Sequence, residues 1–321
     1  MKELRIGGGH GLAVSALSLG TLPFGSYVDE RTSFAILDRF VEAGGTFLDT
    51  ANNYVFWDGF TGDESEELLG RWMAARGNRD RIVLATKAGA RPRTPGTGLE
   101  NMEGLSATAV KAAAEGSLRR LGVDHIDLYY SHVEDRAVPV EETLGAFAEL
   151  VAAGSVGLLG CSNHATWLLE RARAASRANG WPLYTCVQER YSYLRPRPGV
   201  RLPESGHVHM TDELFDYARA EGDVSLLAYS ALLMGSYTRP DKPLPELYDH
   251  LGTTRRLAAL REVADEIGAT ANQVVLAWLL GGEQPVLPVL GVSTVAQLEE
   301  SLAAVDIQLD AEQRARLDGA V

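Results

Sequence analysis

Four side chains, far apart in the chain, are of types that together make a proton-transfer site: Asp49, Tyr54, Lys87 and His132. A tyrosine, with an ordinary pKa of about 10, gives up its proton reluctantly at neutral pH. A lysine ammonium beside it favours the phenolate and makes that proton transferable. Asp49 can hold Lys87 charged in a desolvated place. Breaking such a buried pair from one side costs roughly 3–5 kcal/mol, so Asp49 is expected to be structural as well as chemical. His132 can donate a hydrogen bond to a substrate oxygen and orient it. Acid catalysis by a positioned group contributes about 10²–10⁴ in rate. Taken singly, each has a plainer reading: Tyr54 as a loop aromatic, Lys87 as a snorkelling surface chain, His132 as a capped strand end.

Position is what joins them. Asp49 follows the apolar run Thr46-Phe47-Leu48, Lys87 follows residues 82–86, and His132 follows residues 126–131. Tyr54 comes one short turn after Asp49. Apolar or β-branched runs at 16–19, 46–48, 82–86, 126–130, 156–160, 185–188, 224–228 and 286–289 predict eight strands. Amphipathic helices are expected between them. Thr32 or Ser33 can cap the first, which carries Phe34, Leu37 and Val41. Ser106 can open another with Val110, Ala114, Leu118 and Leu121 on one face and Gly122 as its stop. A third holds Leu144, Phe147, Ala148 and Val151 and ends at Gly154. Thr270 with Gln273 reads as a capping box.

Strand and helix in alternation predict an α/β fold, a closed parallel (β/α)₈ barrel spanning residues 1–321 as one domain. Active sites of such barrels lie at the carboxyl ends of the strands. The competing fold is a doubly wound open sheet, which places a glycine-rich turn between its first strand and helix. Gly7-Gly8-Gly9-His10-Gly11 instead precedes the first barrel strand with no helix behind it. It reads better as the turn of an N-terminal hairpin, residues 4–6 pairing with 12–14. Three long connections, 89–105, 189–210 and 231–252, are expected on the carboxyl face.

The 321 residues carry a net charge of -13, which argues against binding along a nucleic-acid backbone. No apolar segment follows Met1-Lys2-Glu3-Leu4-Arg5, and no apolar stretch is long enough to span a bilayer, so neither a signal peptide nor a membrane partner is expected. Cys161 and Cys186 fall inside predicted strands without metal-type spacing. They read as reduced buried thiols of a cytoplasmic protein with no metal site. The oligomeric state leaves no mark in the sequence.

The run Phe47-Leu48-Asp49-Thr50-Ala51-Asn52-Asn53-Tyr54 resembles the signature of the aldo-keto reductases. So does Leu121-Gly122-Val123-Asp124-His125-Ile126-Asp127-Leu128-Tyr129-Tyr130, which leads into His132. Glu141-Glu142-Thr143-Leu144, Gly160-Cys161-Ser162-Asn163, Leu227-Ala228-Tyr229-Ser230 and Gln297-Leu298-Glu299-Glu300 continue the likeness in order along nearly the whole chain. The resemblance implies a barrel that binds a nicotinamide dinucleotide and passes hydride to a substrate carbonyl. It makes Tyr54 the general acid, Lys87 and Asp49 its support, and His132 the group that orients the carbonyl. It assigns Ser162, Asn163 and Gln188 to the carboxamide and Tyr229 to stacking on the nicotinamide. Further cofactor contacts are implied at Gly20, Thr21, Leu22, Ser230, Leu232, Gly291, Ser293, Gln297 and Ser301.

Ser293 and Gln297 stand where relatives often carry arginine, and Ser301 where an asparagine is frequent. An arginine on phosphate makes charge-assisted hydrogen bonds of about 1.5–3 kcal/mol each, absent here. Ser293, Thr294 and the following helix N-terminus can still hold a phosphate. NADP(H) is therefore expected first and NAD(H) second. Phe24, Phe56 and Trp57 are expected to wall the substrate, an aldehyde, ketone or sugar. Glu134, Asp135 and Arg190 read as solvated loop charges. Two other functions compete: a nicotinamide-binding regulatory or interaction subunit, and a lyase or isomerase using Lys87 as a Schiff base.

Overall fold

The computed structural model describes residues 1–94, 97–200, 202 and 206–320; part of the 89–105 and 189–210 connections thus lies outside the described residues. Strands β1 (Glu3–Ile6) and β2 (Leu12–Ser15) form the expected antiparallel hairpin, with Leu4 opposite Val14 and Ile6 opposite Leu12. Its turn needs glycine at Gly7, where φ is 83° and a Cβ would lie 2.4 Å from Leu158 Cδ1. The Gly7 amide donates to Ser225 Oγ at 3.0 Å, tying the hairpin to the amino-terminal end of the barrel.

Eight parallel strands close the barrel: β3 (Ser18–Gly20), β4 (Phe47–Asp49), β5 (Val83–Ala88), β6 (Ile126–Ser131), β7 (Val156–Ser162), β8 (Tyr184–Arg190), β9 (Ser225–Tyr229) and β10 (Val286–Gly291), which returns to β3. Each strand runs one or two residues beyond the apolar run that foretold it. A parallel ladder asks only for backbone donors and acceptors, so pairing continues through polar side chains that hydropathy counts as strand ends.

Alternation then sorts those side chains. Phe47, Ala85, Cys186 and Leu227 fill the barrel interior with Ile6 and Val14 of the hairpin beneath them. Two residues on, at the same phase of each strand, come Asp49, Lys87, Gln188 and Tyr229. An apolar plug below and a polar layer above is thus written in the period-2 pattern of four strands.

The helices are α1 (Glu30–Glu42), α2 (Glu64–Arg76), α3 (Ala107–Leu121), α4 (Val140–Ala152), α5 (Thr166–Asn179), α6 (Asp212–Glu221), α7 (Leu251–Ile267), α8 (Ala271–Leu280), α9 (Val295–Ala303) and α10 (Ala311–Gly319). Ser106 caps α3 by accepting from the Ala109 amide, Gly122 ends it at φ 64°, and Thr270 with Gln273 forms the capping box of α8. The cap of α1 differs from expectation. Asp29 accepts from the Thr32 amide, and Thr32 is already the third helical residue. A carboxylate with an acidic neighbour at the N-terminus competes well for that position.

Candidate active site

The turn after β4 is stitched to β5 by backbone bonds from Thr50 to Ala85 and from Asn52 to Lys87, which carries Tyr54 over the barrel mouth. Val55, directly after it, holds a left-handed φ of 57°, a strained conformation for a β-branched residue. Lys87 Nζ then meets three acceptors: Asp49 Oδ1 at 2.5 Å, the Thr50 carbonyl at 2.8 Å and the Tyr54 hydroxyl oxygen at 2.8 Å. Tyr54 donates in turn to Asp49 Oδ1 at 3.2 Å, and Gln188 Nε2 donates to Asp49 Oδ2 at 2.8 Å. Asp49 and Lys87 are each 1% exposed. The His132 ring stands edge-on to Tyr54 at 6.2 Å between centroids, and its Nδ1 is buried without a hydrogen-bond partner among the described residues. The structure therefore brings all four residues together.

The electrostatics differ from the expectation in one sign. Tyr54 is held well above the ordinary tyrosine pKa, first by burial and then by Asp49, so its resting state is the neutral phenol. Lys87 alone does not pull it down. Burial dominates because the hydroxyl is enclosed and the nearest full charge besides Lys87 is a carboxylate. Lys87 is itself lowered by burial, with Asp49 opposing. Burial and Lys87 push His132 well below its usual range, leaving a neutral imidazole. With its three N–H groups each on an acceptor, Lys87 presents no lone pair to a carbonyl, which disfavours the Schiff-base reading.

Around this centre the neutral polar residues bond mainly to each other. Ser162 donates to the Gln188 carbonyl at 2.6 Å. Asn163, at a left-handed φ of 58°, donates to the His132 carbonyl at 3.1 Å and to Ser162 Oγ at 3.0 Å. Its Oδ1 accepts from Tyr229 OH at 2.8 Å and from the Val208 amide at 3.1 Å. His207 lies edge-on to Tyr229, 5.4 Å between centroids. A segment of the 189–210 connection thus rests on the groups that the cofactor expectation assigns to the carboxamide and the nicotinamide ring. Sequence reading missed this contact because the bond comes from a backbone amide, which no residue type marks.

The other candidates fall in different places. Thr21 is buried, its amide and hydroxyl both donate to the Asp49 carbonyl, and its own carbonyl accepts from Ser65; it shapes the wall and offers no free polar group. Gly20 permits close approach, since a Cβ there would lie 3.0 Å from the Leu290 carbonyl. Leu22 is exposed beside it. Ser230, Leu233 and Met234 all take left-handed φ values, so the turn holding Leu232 is a strained one. Gly291 has open space around it, and the Ser293 amide donates to Gln297 Oε1 at 2.7 Å, while Ser301 donates to the Gln297 carbonyl at 3.0 Å. Phe24 corrects the sequence reading: it is fully buried in the main core, because the turn after β3 folds back to Val28 and carries the ring inward. Phe56 is half-buried under the Arg91 guanidinium at 5.8 Å, and Trp57 is 55% exposed. Asp135 accepts from the Leu105 and Ala137 amides, and Glu134 pairs with Arg136 at 2.5 Å, which makes both of them loop-fixing charges. Arg190 ends β8 and bridges to His209.

The sequence profile of the aldo/keto reductase family matches residues 16–321. The chain belongs to that family. It is 34% identical to norsolorinic acid reductase stcV of Emericella nidulans, over 94% of this chain and 77% of that protein. It is 30% identical to the aryl-alcohol dehydrogenase (NADP+) of Phanerodontia chrysosporium, over 98% and 84%. The crystal structure of the thermostable aldo-keto reductase Tm1743 with the inhibitor epalrestat superposes with a TM-score of 0.77 at 28% identity, covering both chains fully. Membership makes the protein a carbonyl-reducing oxidoreductase of a family that uses nicotinamide cofactors. Among the described residues, no helix of this reductase is long and apolar enough to cross a membrane.

Proposed function

We propose that the protein reduces an aryl aldehyde or ketone to the alcohol, with Tyr54 as the general acid. The observation that carries this reading is the buried contact of Lys87 Nζ with Tyr54 and Asp49 at 2.8 and 2.5 Å. Bound at the mouth of the barrel, a reduced nicotinamide supplies the hydride. Tyr54 carries the proton that the substrate oxygen needs as negative charge builds there. Burial keeps that proton on the phenol until substrate arrives, and the Lys87 ammonium, already donating to the same oxygen, offsets the charge left behind. Asp49 keeps Lys87 charged, and the neutral His132 ring is placed to donate to the carbonyl oxygen.

The donor set suits a neutral carboxamide: Ser162, Asn163 and Gln188 offer amide and hydroxyl groups without net charge, at the strand ends beside the buried His132 Nδ1. Binding it there requires Asn163 to exchange its Val208 contact. NADP(H) is the first candidate, supported by the relative named for NADP+. NAD(H) is the second, supported by the lack of any lysine or arginine in residues 290–301. The exposed Trp57, next in sequence to the half-buried Phe56, offers planar apolar surface to an aromatic substrate, in keeping with the aryl substrate in that relative's name.

The test is Tyr54→Phe assayed on benzaldehyde and its derivatives with NADPH. Turnover should fall by roughly 10²-fold or more, while the fluorescence titration with NADPH stays close to that of the parent. A variant that keeps turning over removes Tyr54 from the role. A parent that binds NADPH but completes no repeated cycles is instead the regulatory subunit.

A further inference from the structure

Behind Lys87, outside the barrel wall, a second carboxylate is buried as deeply as Asp49. Glu66 on α2 is wholly unexposed. Its Oε1 accepts from the Thr86 hydroxyl at 2.5 Å, and its Oε2 accepts from Arg120 Nε of α3 at 2.7 Å. Thr86 immediately precedes Lys87 on β5 and points the opposite way, so the two carboxylates flank the strand, Asp49 inside and Glu66 outside. The pair is braced further out: Asp63 lies 3.3 Å from Arg120 Nε and 2.5 Å from Arg91, whose guanidinium also donates to the Asn52 and Thr61 carbonyls around the Tyr54 turn. The sequence held a signal for this residue, because Glu66 shares the buried face of α2 with Leu69 and Met73 at spacings of three and seven.

We propose that Glu66 is a positioning residue of this reductase: its buried carboxylate, held beside Thr86 and Arg120, acts by its charge across β5 to keep the Lys87 ammonium charged and the Tyr54 proton in place. This rests on the reading of Asp49, Tyr54, Lys87 and His132 given above. A mere packing role has a cheaper solution. A buried ion pair is often no more stable than apolar side chains of the same volume, so a charge kept at this place calls for another reason. Burial strips solvation from Lys87, and the two negative groups that oppose this are Asp49 and then Glu66. Glu66 also adds to the forces that retain the Tyr54 proton. The groups facing Lys87 are Asp49 from β4, the Thr50 carbonyl and Tyr54 from the turn, Tyr130 from β6 with its ring 5.8 Å away, His132, and Glu66 across the strand. Tyr229 of β9 acts on Tyr54 in addition.

The chain has four lysines, Lys2, Lys87, Lys111 and Lys242. With lysine labelled at Cε, the Lys87 resonance of the cofactor-free protein is the one missing from Lys87→Met. In Glu66→Gln its titration midpoint should fall by roughly half a pH unit or more, and the basic limb of the kcat/KM profile should move the same way. Thr86→Val breaks the hydrogen bond but keeps the charge, so its midpoint should stay near the parent's. The double variant Glu66→Gln/Arg120→Met leaves no unpaired buried charge to compromise folding, and its midpoint should also fall. Unmoved midpoints in both Gln variants, or an equal fall in Thr86→Val, overturn the proposal. So does a midpoint that falls without the kcat/KM limb following. If Tyr54→Phe keeps its activity, the assignment of the acid fails separately, and the Lys87 titration still judges Glu66.

Discussion

At the scale of single residues, the Asp49–Lys87 pair decides both chemistry and stability. Each side chain is 1% exposed, so neither charge can fall back on water if its partner is removed. Lys87→Met should cost about 3–5 kcal/mol in urea denaturation, because it strands a buried carboxylate. Asp49→Asn/Lys87→Met should regain most of that loss while remaining inactive. A double variant as unstable as the single one would show that packing, not charge, sets the cost. The same burial that makes the pair costly to break also reverses a naive expectation about Tyr54. A lysine neighbour alone lowers a phenol's pKa, but here enclosure and Asp49 outweigh it.

At the scale of elements, the segment after β8 is the part whose state should change. The Val208 amide on Asn163 Oδ1 and the His207 ring on Tyr229 sit where the nicotinamide end of a cofactor is proposed to lie. Saturating NADPH should therefore release Val208 from Asn163. Hydrogen exchange in peptides covering residues 206–210 should speed up, or shift to a new protected pattern, with β7 and β8 unchanged. Exchange at Val208 that is identical with and without cofactor would place the carboxamide elsewhere. The neighbouring strand β9 is followed by the turn in which Ser230, Leu233 and Met234 hold left-handed φ values, a conformation that isolated chains avoid.

At the scale of the whole molecule, one buried acid outside the site sets a pH dependence. Glu189 of β8 is 2% exposed, its Oε1 has no hydrogen-bond partner among the described residues, and burial raises its pKa from 4.5 to about 8. The folded chain thus keeps a proton that the unfolded chain releases between those values. Where the unfolded state binds fewer protons, stability falls as pH rises, so Glu189 should cost the fold progressively through that window and level off above it. Glu189→Gln cannot ionise. Its Tm should exceed the parent's by roughly 2 °C or more at about pH 8, and the gap should close toward about pH 5. A constant gap across the range would mean that Glu189 is ionised in the fold.

By itself the sequence determined the barrel, its hairpin, the caps of α3 and α8 and the convergence of Asp49, Tyr54, Lys87 and His132. These follow from local rules: periods of two and 3.6, capping residues, and the fact that strands of one barrel end on one face. Tertiary structure decided what depends on distance and dielectric. It set the sign of the Tyr54 shift, because burial is a property of everything packed around the ring. It drew Phe24 into the core, because the turn after β3 folds back on Val28 and turns the ring inward. It gave Val208 and Glu66 their places, one through a backbone amide that carries no residue label, the other through Thr86 and Arg120, which lie 20 and 54 positions away along the chain. Contacts of that kind are set by the closure of the whole barrel; local pattern marks Glu66 as facing inward on α2 but holds no record of its partners.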